Sequence, residues 1–347
     1  MPHSGESPRD VAVVLPYAVG IRDFVHSGVL ARLLAMPDIR LTIYTINADL
    51  PQLAEAREAR VQVRSFEGYR DNRLEGALKR LYLYFFADRF VYIEQMLAGK
   101  PLHRLLANAL CLTRRSIGTG RFLRLCEKIM LSLYRRRNIP WGFAGTPDLV
   151  IATRSLMNSL DYGLIAEARE RRIPVLTIAN SWDNFTTKGF FPFKAERIVV
   201  WNEKMKSELE DIYEVSPREI AIVGYPRRQT LVELSQGSDS AAYLASLGYG
   251  QYRRFILYSA SYSELTRIPG EAQPLEYQVM AQVAARLEAM LPDDVCILLR
   301  MHPFSEAGDE SFSGLTRSFI FVPGRKDSYV ERVVGRGGSL FRLGVPR

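Results

Sequence analysis

The chain has 347 residues, 47% hydrophobic and 24% charged, which is enough apolar material for ordinary cores and too much for a disordered chain. At about 100–200 residues per domain, this length suggests two domains. The formal charge of +8 favours an anionic partner, such as nucleotide phosphate, lipid diphosphate, a membrane surface or nucleic acid.

Val11 to Tyr17 (VAVVLPY) is a short β-branched run that predicts a buried parallel strand. Gly20 then marks a turn into an amphipathic helix from Asp23 to Leu34. Leu41–Ile46 and Val61–Phe66 predict two further strands, and residues 72–136 a basic helical insertion. Leu149–Ala152, a helix from about Leu160 to Arg172, and Pro174–Ala179 continue the alternation, which implies a doubly wound parallel sheet. The second half repeats the pattern with a strand at Arg197–Trp201, a helix at Glu203–Tyr213 and a short strand at Ile220–Val223. Gln236–Ala242 reads as a polar spacer. A strand at Phe255–Ser259, a helix at about Glu276–Met290, and strands at Val295–Arg300 and Phe319–Val322 follow. The Gly/Phe/Pro-rich KGFFPFK places the domain break near 190, giving lobes over 1–190 and 191–331. Residues 332–347 read as an irregular tail, as though the second lobe were truncated or out of frame.

Cys111, Cys126 and Cys296 are sparse, odd in number and without CxxC spacing, so neither a disulfide framework nor a structural zinc is expected and a reducing cytosol fits. The polar N-terminus lacks a basic n-region and a cleavage site, so no signal peptide is expected. No run of about 18 apolar residues is present, so any membrane contact is peripheral.

In open parallel sheets ligands bind beyond the carboxyl ends of strands, which ranks the polar clusters. Asn180–Gly189 (NSWDNFTTKG) is the densest, with a carboxylate, two amides, three hydroxyls and a lysine after one strand. Asp183 is the candidate base for an acceptor hydroxyl, with Asn180, Ser181, Asn184 and Lys188 lining the site. The same residue types also make helix caps and Asx turns. Arg300 and His302 follow another strand and suit a diphosphate, with Ser259 and Ser261 assisting. Gly20 is either a substrate contact or a plain turn glycine, and His26 is a further candidate base. Gly224–Arg228 could form a hinge or a basic rim. HExxH, GxxxxGK[ST], GxSxG and spaced acidic metal motifs are absent, so no metal is expected. The basic aromatic stretch within 72–136 suits either an anionic membrane face or an insertion whose aromatics pack on the sheet. It contains no nucleic-acid-binding motif, and a nucleic-acid partner is not expected.

The runs SWDNFTTKG, ERIVVWNEKMKSELEDIYEVSPREIAIVGYPR and ILLRMHP resemble surface-carbohydrate glycosyltransferases of the two-Rossmann-lobe GT-B type. They are similar in layout to CDP-glycerol glycerophosphotransferases and UDP-N-acetylglucosamine 2-epimerases. The residues that carry this are Val200-Trp201-Asn202, Ser216–Pro226 and Arg300–Pro303, within roughly 150–330. The resemblance implies a nucleotide-sugar donor in the C-terminal lobe, a glycan or lipid-linked acceptor in the N-terminal lobe, chemistry in the cleft between them, and no cofactor. It departs after Glu331, where GRGGSLFRLGVPR replaces the expected helix, strand and donor-contacting stretch. The expectation is a cytoplasmic, metal-independent glycosyltransferase of cell-surface polysaccharide or glycolipid assembly, in peripheral contact with the inner membrane face. The alternatives are a sugar-nucleotide epimerase and an inactive nucleotide-binding relative.

Overall fold

The computed structural model describes residues 8–16, 18–46, 48, 53, 61–68, 70–90, 93, 97, 99–137, 142–154, 160–186, 193, 195–237, 239–246, 248–261, 274–301, 312, 314–322 and 339–342. The chain divides into two compact units, Met1–Leu231 and Val232–Arg347. Both are α/β, as the alternating pattern predicts.

Among the described residues the first unit holds seven strands: β1 (Arg9–Val14), β2 (Ile39–Thr45), β3 (Val61–Ser65), β4 (Leu149–Arg154), β5 (Val175–Ala179), β6 (Arg197–Val200) and β7 (Ile220–Ile222). They lie in the order β3-β2-β1-β4-β5-β6-β7, and every pairing is parallel. The chain walks outward from β1 in one direction and then in the other, so the topological switch lies between β1 and β4. Side chains alternate across the sheet. Val11, Val13 and Leu15 join Leu41, Ile43 and Ile151 under helices α1 (Ala18–His26) and α2 (Val29–Leu34). Ala12, Val14, Val150 and Ala152 face the opposite, larger core. Burial on both faces explains why these strands are continuous apolar runs. The single helix expected over Asp23–Leu34 is broken at Gly28, whose φ of 78° suits glycine.

Three helices supply much of the larger core: α3 (Arg73–Phe85), α4 (Pro101–Ile117) and α5 (Thr119–Arg136). The predicted helical insertion is therefore present, and its aromatics settle one alternative. Tyr82, Phe85, Phe86 and Phe90 are buried, and Phe85 stacks on Phe122 at 3.7 Å between ring centroids. They pack inward, so they do not form the face offered to a membrane. A buried charge cluster anchors α3: Lys79 Nζ donates to both carboxylate oxygens of Asp71, at 2.6 and 2.7 Å, and Arg137 pairs with fully buried Glu75 at 3.0 Å. Burial pulls the Lys79 ammonium below its ordinary value, against the opposing effect of Asp71. Helices α6 (Tyr162–Glu170) and α7 (Glu203–Tyr213) complete the unit.

The expected break at 190 moves. β6 and β7 extend the first sheet, with Ile178 paired to Val199 and Val200 to Ile222, and the division falls inside helix α8 (Arg228–Gly237). β5 and β6, which flank KGFFPFK in sequence, are paired in one sheet, so the segment does not separate the two units; all of it but Phe193 lies outside the described residues. The polar spacer at 236–242 is also corrected. Ser240–Ser246 form helix α9, capped by Asp239 Oδ1, which accepts from Ala241 N at 2.9 Å, and α9 buries Leu244.

In the second unit, β8 (Arg254–Ser259), β9 (Val295–Arg300), β10 (Ser318–Val322) and β11 (Ser339–Arg342) lie in the order β11-β10-β9-β8. Ile297, Leu299 and Met301 pack against α10 (Leu275–Met290), while Cys296, Leu298 and Phe319 pack against Leu244, Tyr249 and Tyr252. The tail is not irregular throughout, because β11 pairs antiparallel with β10. Glu288 of α10 accepts from the backbone N–H groups of Thr316 and Arg317, at 3.0 and 2.8 Å, and from Ser318 Oγ at 2.6 Å, fastening the entry to β10.

Candidate functional site

Two polar clusters sit at strand carboxyl ends, one in each unit. The first follows β5. Asn180 Oδ1 accepts from Asn184 Nδ2 at 2.8 Å, and Ser181 Oγ donates to Asp183 Oδ1. Asn184 N to Ser181 O and Thr186 N to Asp183 O, both at 3.3 Å, fold the segment into consecutive turns. Asn184 and Phe185 are buried, Asp183 is half-buried and Trp182 is exposed. Neighbouring elements clamp both ends. Trp201 Nε1, just past β6, donates to Ala179 O at 2.8 Å, and Tyr213 OH, on α7, donates to Phe185 O at 2.7 Å. Asn202 caps α7 by accepting from Met205 N at 2.9 Å. The VWN motif thus spells strand end, clamp and cap.

The segment after β7 returns across this edge. Tyr225 lies on Trp201 with ring centroids 4.6 Å apart, and Arg227 pairs with Asp23 of α1 at 3.8 Å. β7 is four strands from β1, or about 19 Å at sheet spacing. Residues 223–227, with the Arg227 side chain, are thus a strap that ties the β7 edge to α1. Gly224–Arg228, expected to be a hinge or a rim, includes this strap.

Gly20 is buried in α1, and a Cβ there would lie 2.6 Å from Thr153 Oγ1 at the end of β4. Close helix–strand packing at the switch point accounts for the glycine. Lys188 lies outside the described residues, as does His302, and the side chain of His26 is not described.

The second cluster joins β8 and β9. Ser259 and Arg300 are register partners, and Arg300 Nη1 donates to Ser259 Oγ at 3.4 Å. Ser259 is exposed and Arg300 half-buried, so the guanidinium keeps further N–H groups for a ligand. Ser261 differs from expectation. Its N–H and Oγ both donate to the Glu276 carboxylate, at 3.2 and 3.0 Å, so these donors already serve an anion. Glu276, in the first turn of α10, is the site residue that sequence reasoning missed; a lone carboxylate at a helix start carries no distinguishing signal. Among the described residues, no group of three or more His, Cys, Asp or Glu side chains is placed to hold a metal ion. Nor is any described helix long and apolar enough to cross a membrane.

Residues 177–328 match the family model of CDP-glycerol:poly(glycerophosphate) glycerophosphotransferase. The match begins inside β5 and takes in both clusters, with Gly20 outside it. No curated protein matches the chain in sequence. Among solved structures, a UDP co-structure of S. aureus MnaA is similar, at 9% identity over 92% of this chain and 70% of that one, with a TM-score of 0.49. So is a putative UDP-N-acetylglucosamine 2-epimerase from Listeria monocytogenes, at 12% identity over 93% and 71%, with a TM-score of 0.49. A glycosyltransferase from Rickettsia africae is similar at 9% identity over 94% and 70%, with a TM-score of 0.43. The chain is thus similar to glycerophosphotransferases across 177–328 and, in structure, to UDP-N-acetylglucosamine 2-epimerases and glycosyltransferases, the relations that its motifs suggest.

Proposed function

We propose that this chain is a transferase that moves a sugar from a nucleotide-diphosphate donor to a hydroxyl of a glycan or lipid-linked acceptor. The observation that carries this reading is the pairing of Arg300 with Ser259 at adjacent strand ends within the matched segment. A partly exposed guanidinium beside a hydroxyl suits a diphosphate, whose charge grows as it leaves. In the first unit, Asp183 is the only carboxylate within Asn180–Thr186, and the turn around it is clamped at both ends. Asp183 accepts the acceptor's hydroxyl proton while that oxygen bonds to the anomeric carbon and the bond to the diphosphate breaks. Asn180 and Asn184 hold the turn, while Ser261 holds Glu276 in place.

A second reading rests on the family match itself: the donor is CDP-glycerol, the bond formed is to phosphorus, and CMP leaves. One experiment separates the two. Thermal shift is measured with UDP-, GDP-, dTDP- and CDP-sugars and with CDP-glycerol, on the parent chain and on Arg300→Ala. Stabilisation by a nucleotide sugar, lost in Arg300→Ala, supports sugar transfer, and stabilisation by CDP-glycerol alone moves the assignment to the second reading. No response to any donor rejects both. Epimer formation without an acceptor would instead identify an epimerase.

A further inference from the structure

The turn that carries Asp183 also displays a tryptophan. Asn184 N donates to Ser181 O at 3.3 Å, so Trp182 and Asp183 are the two central residues of one four-residue turn. Trp182 is 67% exposed, although indole is among the side chains that gain most from leaving water. Among the described residues neither its ring nor its Nε1–H has a partner. Trp201 is the contrast, since its ring lies on Tyr225 and its Nε1 donates to Ala179 O. A solitary exposed apolar side chain is ordinary on a protein surface. Trp182 is set apart by its support: the turn is clamped through Ala179 O before it and Phe185 O after it, and Asn180 bonds Asn184 across it. A backbone fixed in this way presents the indole at little entropic cost to whatever covers it.

Chemistry narrows the occupant. Indole offers a flat apolar face, negative at its centre, and one N–H donor at its edge. The C–H groups on one side of a pyranose ring form an apolar, weakly positive patch that matches this face, while the ring's hydroxyls stay at the rim. An acyclic glycerol phosphate has no such patch, and its charge is repelled by the ring face. A nucleobase would also stack. Asp183, the next residue in the turn, favours the sugar, because one pyranose can cover the indole and present a hydroxyl to the carboxylate.

We propose that Trp182 is the stacking platform for a pyranose ring of the acceptor and seats one of its hydroxyls beside Asp183. The inference rests on the transfer reading and narrows its acceptor to a cyclic sugar, in place of the poly(glycerophosphate) that the family description names. The indole binds and positions; it takes no part in the proton transfer.

The test uses the full chain and a panel of methyl pyranosides, with glycerol 3-phosphate as the acyclic control, each alone and with UDP or CDP present. The chain has three tryptophans, so Trp182→Phe, which keeps Trp141 and Trp201, isolates the emission of Trp182. A pyranoside is expected to change the emission of the parent and not that of Trp182→Phe. Affinity measured by saturation-transfer NMR should fall about fivefold to tenfold in Trp182→Ala, and less in Trp182→Phe, which keeps a ring. Circular dichroism and Tm should match the parent, since the side chain is exposed. Donor-induced thermal shifts should stay at parent values in both variants. Three results would overturn the proposal: no pyranoside alters the emission of Trp182, glycerol 3-phosphate binds through Trp182 equally well, or the donor-induced shift is lost in Trp182→Ala, which would make the indole a base-stacking residue. A parent chain that binds pyranosides through Trp182 and responds to no donor would sink the transfer reading and leave the sugar platform standing, so the two failures are separable.

Discussion

The two strand-end clusters are built by opposite means. After β5, polar side chains bind each other and neighbouring elements clamp the backbone, through Trp201 to Ala179 O and Tyr213 to Phe185 O. After β8 and β9, a guanidinium is steadied by one serine while a carboxylate takes both donors of another. The first arrangement fixes the geometry of one group, Asp183. The second leaves hydrogen-bonding capacity for something that arrives. Proton transfer needs the former, and binding a charged donor needs the latter.

The largest expected effect breaks the first cluster's chemistry alone. Asp183→Asn keeps the shape and removes the proposed base, so turnover with donor and acceptor should fall by about 10²–10⁴-fold. Donor-induced thermal stabilisation stays unchanged, because the diphosphate is assigned to Arg300. Undiminished turnover would clear Asp183 of the role.

Next comes the packing of the second unit at the end of α10 opposite Glu276, where Glu288 fastens the entry to β10. Burial raises the Glu288 carboxyl pKa, but the donors of Ser318, Thr316 and Arg317 outweigh it, and the group ends below its ordinary value. A carboxyl depressed in the folded state stabilises fully above its unfolded pKa, about 4.3, and that stabilisation is lost as pH falls through the folded value. Glu288→Gln should cost about 2 kcal/mol at neutral pH. It should also flatten the acid side of the stability profile, measured by urea unfolding between about pH 5 and pH 3. An unchanged acid limb would show that the clamp is unimportant.

The strands were legible because burial on both faces demands unbroken apolar runs, as in VAVV and VCILLR. The ownership of β6 and β7 was not, since RIVV carries no mark of which sheet it joins and KGFFPFK resembles a linker. Helix α9 was hidden by its polar flanks, although Asp239 before two alanines is a capping signal. Arg300 and Ser259 could be found because each ends a strand, and register then set them side by side. Glu276 could not, because its importance comes from Ser261, fifteen positions away. The aromatics of α3 were ambiguous for a related reason: sequence shows that Tyr82, Phe85 and Phe86 cluster, but not that Phe122 awaits them.

A smaller effect sharpens the comparison from the other side. Trp201→Phe preserves an aromatic ring against Tyr225 and deletes one donor, leaving Ala179 O without its indole partner. The cost is about 1 kcal/mol. It should appear as lower turnover at unchanged donor affinity, because the loosened turn holds Asp183. If donor affinity fell equally, the two clusters would not be separable.

The smallest effect concerns Gly20, where two terms oppose each other. Alanine in α1 gains about 1 kcal/mol of helix propensity over glycine. Its Cβ, however, would meet Thr153 Oγ1 at 2.6 Å, inside any real contact distance, and overpacking costs about 1–3 kcal/mol. Thr153 is buried on β4, and its β-branched side chain has few rotamers with which to retreat. The clash therefore wins by about 1 kcal/mol. Thr153→Ala removes the obstructing hydroxyl, so Gly20→Ala in that background becomes neutral or stabilising. The double-mutant cycle, measured by urea unfolding, reports a coupling of about 2 kcal/mol, the size of the clash, if packing explains the glycine. Additive changes would mean that Gly20 is required for another reason, and a ligand at the helix start would then be the first to test.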